Sequence, residues 1–195
     1  MIRTPGGEYA ALMATLPWAS RGKAFSIKQV FAPAQGCAMP AWMPMPTPMT
    51  PGITPRGASL DGRVWHILGQ TYTPLYLTES SFGWHALLPA GTFVPPHVHP
   101  MQDEFIYVLT GEFDLVLDVE AFTAAPGDLV RLPRCLPHGI FNNSAADATC
   151  VFWVSPTRLL WDLFEAIDNV SDPSEIIRQA GMREVEFLPP PASAV

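Results

Sequence analysis

Two histidines one residue apart, His97 and His99, and a glutamate five residues further on, Glu104, stand in the stretch GTFVPPHVHPMQDEFIYVLTG, from Gly91 to Gly111. On a strand, residues i and i+2 point to the same face, so both imidazoles project to one side. Glu104 opens the next apolar run after a short turn and can return to that side. Pro95, Pro96 and Pro100 stiffen the approach and the exit. A second segment, PGDLVRLPRCLPHGIFN, from Pro126 to Asn142, brings His138 onto a later strand behind turn-forming prolines. Three neutral imidazoles and one carboxylate make a mixed nitrogen and oxygen donor set. Such a set suits one divalent transition metal (Fe, Ni, Cu, Mn or Zn). Four protein ligands on a metal of higher coordination number leave room for water, O2 or substrate.

Other residues around these motifs have competing readings. Trp84, Phe93, Met101, Phe141 and Trp153 can wall a pocket for an aromatic substrate, and barrel-core packing accounts for them equally well. His66 and His85 lack ligand spacing and read as hydrogen-bonded strand histidines, with His85 beside Trp84 a candidate support. Asp103 alternates away from Glu104 and reads as solvated. Cys135 lies three residues before His138, in a turn. If that turn needs a positive φ, a cysteine there costs about 1 kcal/mol relative to glycine.

The elements that must position these residues are short strands. Val64–Leu68, Leu75–Thr78, Phe82–Leu88, Phe93–His97, Glu104–Leu109, Phe113–Val119, Leu129–Leu132, Gly139–Asn142 and Thr149–Val154 are apolar or alternating runs, punctuated by Gly69, Gly91, Gly111 and Gly127. Closely spaced short strands of this kind predict an all-β antiparallel sandwich or barrel. The pattern then turns helical. Ser155-Pro156 reads as a cap followed by proline at the first helical position, with Leu159, Leu160, Leu163, Phe164 and Ile167 as one apolar stripe. Asp172-Pro173-Ser174-Glu175 is a second cap, and its helix is predicted to end at Gly181.

The sequence changes character near residue 57. Residues 1–57 carry Arg3, Arg21, Lys23, Lys28 and Arg56 against the single acid Glu8, whereas the whole chain of 195 residues has a formal net charge of −7. The stretch MPAWMPMPTPMTP at 39–51 sets proline at alternate positions and reads as an extended arm. The expected organisation is therefore an irregular Pro/Met-rich arm over 1–57 and a barrel with a helical segment over 58–195. With 48% hydrophobic and 15% charged residues, a packed core is within reach. The acidic balance argues against a nucleic-acid partner, and no apolar run reaches membrane-spanning length. The apolar stretch at 10–16 is short and meets Pro17 and Trp18, so a secretory signal is not expected. Cys37, Cys135 and Cys150 are odd in number and unclustered, which reads as free thiols in a cytoplasmic protein.

The residues quoted above resemble the cupin superfamily. Gly91, His97, His99, Glu104 and Gly111 match the first cupin motif, G(X)5HXH(X)4E(X)6G, at every spacing. Pro133, His138 and Asn142 match the second, PXG(X)2H(X)3N, with Cys135 where that motif has glycine. The run HVHPMQDEFIYVLTGEF and the tail VEFLPPP at 185–191 resemble bacterial single-domain quercetinase-like dioxygenases, a similarity covering about residues 60–191. The resemblance implies a cupin jelly-roll barrel holding the metal on His97, His99, Glu104 and His138. It implies an O2-dependent dioxygenase of a hydroxylated aromatic or enolisable small molecule, with Glu104 as ligand and as catalytic base. Cupins also host metal-dependent isomerases and lyases and non-catalytic binders of small ligands, and these remain alternatives. A homodimer is expected, because open sheet edges need cover and the helical stripe looks broader than one small barrel face requires.

Overall fold

A computed structural model describes residues 51–188 of the chain. The greater part of the expected arm, with Cys37, lies outside the described residues.

Among the described residues, eleven strands form two antiparallel sheets. In chain order they are β1 (Trp65–Ile67), β2 (Gln70–Leu77), β3 (Phe82–Leu88), β4 (Phe93–Val98), β5 (Asp103–Thr110), β6 (Phe113–Leu117), β7 (Glu120–Ala124), β8 (Leu129–Leu132), β9 (His138–Phe141), β10 (Ala148–Ser155) and β11 (Glu186–Phe187). One sheet has the order β1-β2-β3-β10-β5-β8 and the other β11-β4-β9-β6-β7. After the β1–β2–β3 meander the chain passes from sheet to sheet, except at the β6–β7 hairpin, as in a jelly roll, and the core fills the space between. Helix α1 (Leu160–Ile167) and helix α2 (Pro173–Gly181) follow β10.

The alternation expected of half-buried strands is present along β10, where Ala148, Cys150, Phe152 and Val154 are buried and the residues between them are partly exposed. β5 shows the same period through Glu104, Ile106 and Val108. Gly111 turns the chain from β5 to β6 at φ 73°, and a Cβ there would lie 2.6 Å from the Ala148 Cβ. Conformation and space thus both require glycine at this motif position.

Three boundaries differ from the sequence expectation, each for a local reason. The strand predicted over Phe113–Val119 ends at Leu117, which pairs with Glu120 of β7 in a hairpin around Asp118, at φ 54°. Aspartate tolerates the left-handed region, so no glycine marks the turn. β2 begins at Gln70, five residues before the predicted strand; it pairs with β3 from Thr71 and runs through Pro74, which is accommodated at an irregularity in the register. Finally, Ser155-Pro156 does not begin a helix. β10 continues to Ser155, and α1 starts at Leu160 behind a turn, without a side-chain cap. The second cap is as expected: Asp172 accepts from the Ser174 amide at 3.0 Å, and the helix runs from Pro173 to Gly181.

The apolar stripe of α1 is buried within its own chain. Leu160, Leu163, Phe164 and Ile167 all join the barrel core, where the Phe164 ring meets Trp65, Tyr72, Phe82 and Trp84 at centroid separations of 5.1–5.8 Å. The breadth of the stripe therefore needs no second subunit to explain it. The helix closes the open end of the barrel.

Candidate metal centre

The four ligand-type residues come from three strands and the loop after β4. His97 and His138 are register partners across β4 and β9. His99 lies two residues beyond His97, just past the end of β4, and Glu104 is the second residue of β5. All four are 4% exposed or less. One potential ligand atom from each lies within 4.8 Å of the others. The Nε2 atoms of His97 and His99 are 3.1 Å apart. Glu104 Oε2 is 3.0 Å from His138 Nε2 and 3.4 Å from His99 Nε2. With bonds of about 2.1 Å, neighbouring ligand atoms stand roughly 3.0–3.4 Å apart around one metal, so the separations fit.

The tautomers are fixed from behind. His97 Nδ1 donates to the Pro95 carbonyl (2.8 Å), His138 Nδ1 to the Leu136 carbonyl (2.9 Å) and His99 Nδ1 to the Gln102 side-chain oxygen (3.0 Å). Each Nε2 is left with a lone pair. Burial, followed by the neighbouring His138, pushes the His97 imidazole well below its usual range and His99 down to about 3. Uncharged rings thus aim lone pairs at one another and at a carboxylate oxygen, with no proton between His97 and His99 to share. A cation is the complement to that arrangement, and imidazole with carboxylate suits the first-row divalent metals.

The low value at His99 has a consequence for the metal-free protein. Between pH 6.5 and about 3 the unfolded chain binds a proton at this residue that the folded chain does not. Stability therefore falls as the pH drops through that window. Urea midpoints of metal-stripped protein at pH 7 and pH 4.5 are expected to show the loss, and His99→Gln is expected to reduce it. Equal midpoints in the wild type would contradict the burial of a neutral imidazole.

The two motifs are clamped together beside the centre. Asp103 accepts from the Arg134 guanidinium at 2.7 and 3.1 Å and from the Arg134 amide at 2.9 Å. It is therefore not simply solvated, and the guanidinium hydrogen bonds hold its carboxyl below the usual carboxylate range. Cys135 takes φ 66°, the left-handed conformation for which the motif has glycine, and its amide donates to the His99 carbonyl at 3.0 Å. The free-thiol expectation holds for Cys150, which is buried. It is corrected at Cys135, which is disulfide-bonded. Asn142, the last residue of the second motif, is a structural latch: its Nδ2 donates to the Leu88 and Ala146 carbonyls.

A cavity of about 50 Å³ borders His97, His99 and Glu104. Its other walls are Tyr72, Trp84 and Phe152 from the first sheet and Leu160, Leu163 and Phe164 from α1. Among the described residues, no lysine or arginine borders it. Of the five residues expected to contact substrate, only Trp84 lies here. Trp153 points to the outer face of its sheet and stacks on Phe105 at 5.2 Å, while its neighbour Phe152 faces in. Phe93 and Phe141 stack on each other at 5.8 Å. Phe141 shares the Gly139 face of β9, opposite His138 and Ile140. Met101 sits in the β4–β5 turn, away from the cavity wall. Tyr72, Phe152 and the α1 stripe were not foreseen as cavity walls. His66 is on β1, and the partly buried His85 pairs with Val151 on β10; neither joins the centre.

Residues 84–155, which hold all four candidate ligands, match the family model of the cupin domain. Over these residues the chain is similar to cupin domains. The polyketide synthase CurC of Streptomyces cyaneus is 31% identical over 77 residues, 40% of this chain and 50% of that protein. SchB of Streptomyces halstedii is 30% identical over 77 residues, 40% and 56% of the respective chains. The chain spans about half the length of these curated relatives. A solved RmlC-like cupin from Shewanella frigidimarina superposes with a TM-score of 0.51 at 18% identity, covering 58% of this chain and 97% of that one, and shares the fold. Among the described residues, no helix is long and apolar enough to cross a membrane.

Proposed function

We propose that this cupin is a metal-dependent dioxygenase that cleaves a hydroxylated aromatic or enolisable substrate with O2. The observation that carries the reading is the lining of the cavity. A buried three-histidine, one-carboxylate centre opens onto aromatic and aliphatic side chains, with no cationic group bordering the cavity among the described residues. A phosphorylated sugar needs arginine or lysine to replace its hydration, and the described wall offers neither. A flat apolar ligand with few oxygens suits it.

In this reading His97, His99 and His138 hold the metal. Glu104 is a ligand that also accepts the proton of a substrate hydroxyl. When bound, the metal supplies Lewis acidity toward the substrate oxygen and a centre where O2 and substrate meet. The apolar walls exclude water from the reacting carbon. Trp84 adds a specific polar group. It is 2% exposed, and its Nε1–H has no hydrogen-bond partner. A second oxygen on the substrate is the acceptor that would satisfy it. The polyketide synthase name of one relative supports the same chemistry, since polyketides are built from enolisable β-carbonyl units.

The cavity has room for a water or two, less than an aromatic ligand fills, so substrate binding requires its walls to move apart. The test is O2 uptake by metal-loaded protein against flavonols, catechols and β-diketones. Stoichiometric O2 consumption with a cleaved product supports the proposal. Turnover without oxygen would point to an isomerase or lyase, and ligand-stabilised melting without O2 uptake to a binding protein. Trp84→Phe keeps an aromatic ring in the stack with Phe82 and Phe152, removes the donor and leaves part of the indole's volume unfilled. It is expected to weaken binding of the accepted substrate about tenfold, as loss of one buried hydrogen bond does, with metal content unchanged.

A further inference from the structure

Gln102 lies in the turn between β4 and β5, is 2% exposed and uses both ends of its amide. Its Nε2 donates to the backbone carbonyls of Pro156 (3.0 Å) and Thr157 (2.6 Å). Carbonyl oxygens only accept, so both amide protons are committed there, and the side-chain oxygen is the atom 3.0 Å from His99 Nδ1. An amide oxygen also only accepts. His99 must therefore carry its proton on Nδ1 and keep its lone pair on Nε2, the atom that stands among the ligand atoms.

The carbonyls that orient Gln102 belong to the turn from which α1 departs. The Thr157 carbonyl also accepts from the Leu160 amide at 3.3 Å, the first turn of the helix. Thr157 is held from the other side as well: its amide donates to the Glu79 carbonyl at 3.1 Å and its hydroxyl to the Thr78 carbonyl. The chain then passes through Arg158, at φ 49°, into the helix that roofs the cavity, and leaves it through Asn169, at φ 57°. Both ends of α1 are thus left-handed non-glycine residues, and one of them adjoins the turn that Gln102 holds.

We propose that Gln102 is a positioning residue that ties His99 to the roof helix. One amide sets the His99 tautomer and holds the turn that launches α1, so metal binding and closure of the roof support each other. The inference rests on the metal reading of the four-residue cluster and not on the reaction assigned to it.

Two variants of the full chain separate this role from plain structural support. Gln102→Leu removes both contacts. Gln102→Glu keeps an acceptor for His99 Nδ1 and loses the donors to Pro156 and Thr157. The probe is Co2+ added to metal-stripped protein, read by chelator competition and by hydrogen exchange of the peptide spanning 157–167. Wild-type protein is expected to bind one equivalent and to slow exchange in that peptide. Gln102→Leu is expected to weaken Co2+ binding by about tenfold to a hundredfold, the usual cost of losing a group that orients a ligand. Gln102→Glu is expected to keep the affinity within a few-fold. Both variants are expected to lose the Co2+-dependent protection of α1. Wild-type affinity in Gln102→Leu, equal losses of affinity in the two variants, or protection retained in both would overturn the proposal. If Gln102→Leu does not fold, Gln102→Glu decides alone: retained affinity with lost protection supports the proposal, and any other pairing overturns it. A wild-type protein that binds no Co2+ fails at the cluster itself, a result distinct from all of these.

Discussion

His138→Ala is expected to lose most of the bound metal while the barrel still folds. Loss of a group that merely orients a ligand weakens metal binding by about 10–100-fold, so loss of a ligand is expected to exceed about 100-fold. The fold survives because His138 opens β9 without anchoring it: β9 stays paired with β4 and β6 through backbone hydrogen bonds and through Ile140, which is fully buried. The structural cost is the donor to the Leu136 carbonyl and a small void, about 1–3 kcal/mol. His97→Ala and His99→Ala are expected to behave alike. Elemental analysis after dialysis, with circular dichroism as the fold control, is the measurement. Near-stoichiometric metal in all three variants would remove the centre from these residues.

Glu104→Gln is expected to reduce turnover far more than metal content. The amide keeps the size of the side chain and an oxygen that can face the metal, but it cannot take up a substrate proton. General-base catalysis contributes about 10²–10⁴-fold, and a loss in that range is expected in kcat. Metal content is expected to fall much less, because the three imidazoles, each oriented from behind, remain. The two measurements must be made on the same sample. Activity that merely follows the metal would leave Glu104 a ligand and nothing more.

Much of the site was readable from local spacing. The i, i+2 relation of His97 and His99 follows from the geometry of one strand. The return of Glu104 follows from a four-residue turn that proline stiffens. The Asp172 cap was equally local, and the helix behind it has the expected bounds. The left-handed turn at Cys135 could be anticipated because the motif has glycine there, and the backbone takes φ 66°. The pocket residues were less legible. Phe152 and Trp153 are adjacent, and period two says only that they face opposite ways. Which one faces in depends on pairing: Phe152 lies opposite Ile106 on β5 and Trp84 on β3, both of which face the core. Parity with His97 would turn Phe93 inward, but the β4–β9 register is irregular between Val94 and His97, and it is Val94 that borders the cavity; Phe141, three residues from His138, lies on the other face.

The sequence by itself determined which residues stand as candidate ligands, the strand-rich architecture and the C-terminal helix cap, because each is carried by the spacing of residues within one short segment. Only the tertiary structure decided what surrounds the metal centre. The stripe on α1 had two destinations, this barrel or a second copy, and amphipathic spacing is the same for both; it roofs the barrel of its own chain, against Tyr72, Trp84 and Phe152. Gln102 carried no signal at all, since a polar residue in a turn is ordinarily solvated. Its role exists because the fold returns Pro156 and Thr157, 54 and 55 residues later, to the back of the His99 ring. Local spacing sets which side chains share a face, but the partners they meet there are set by how the sheets close on one another.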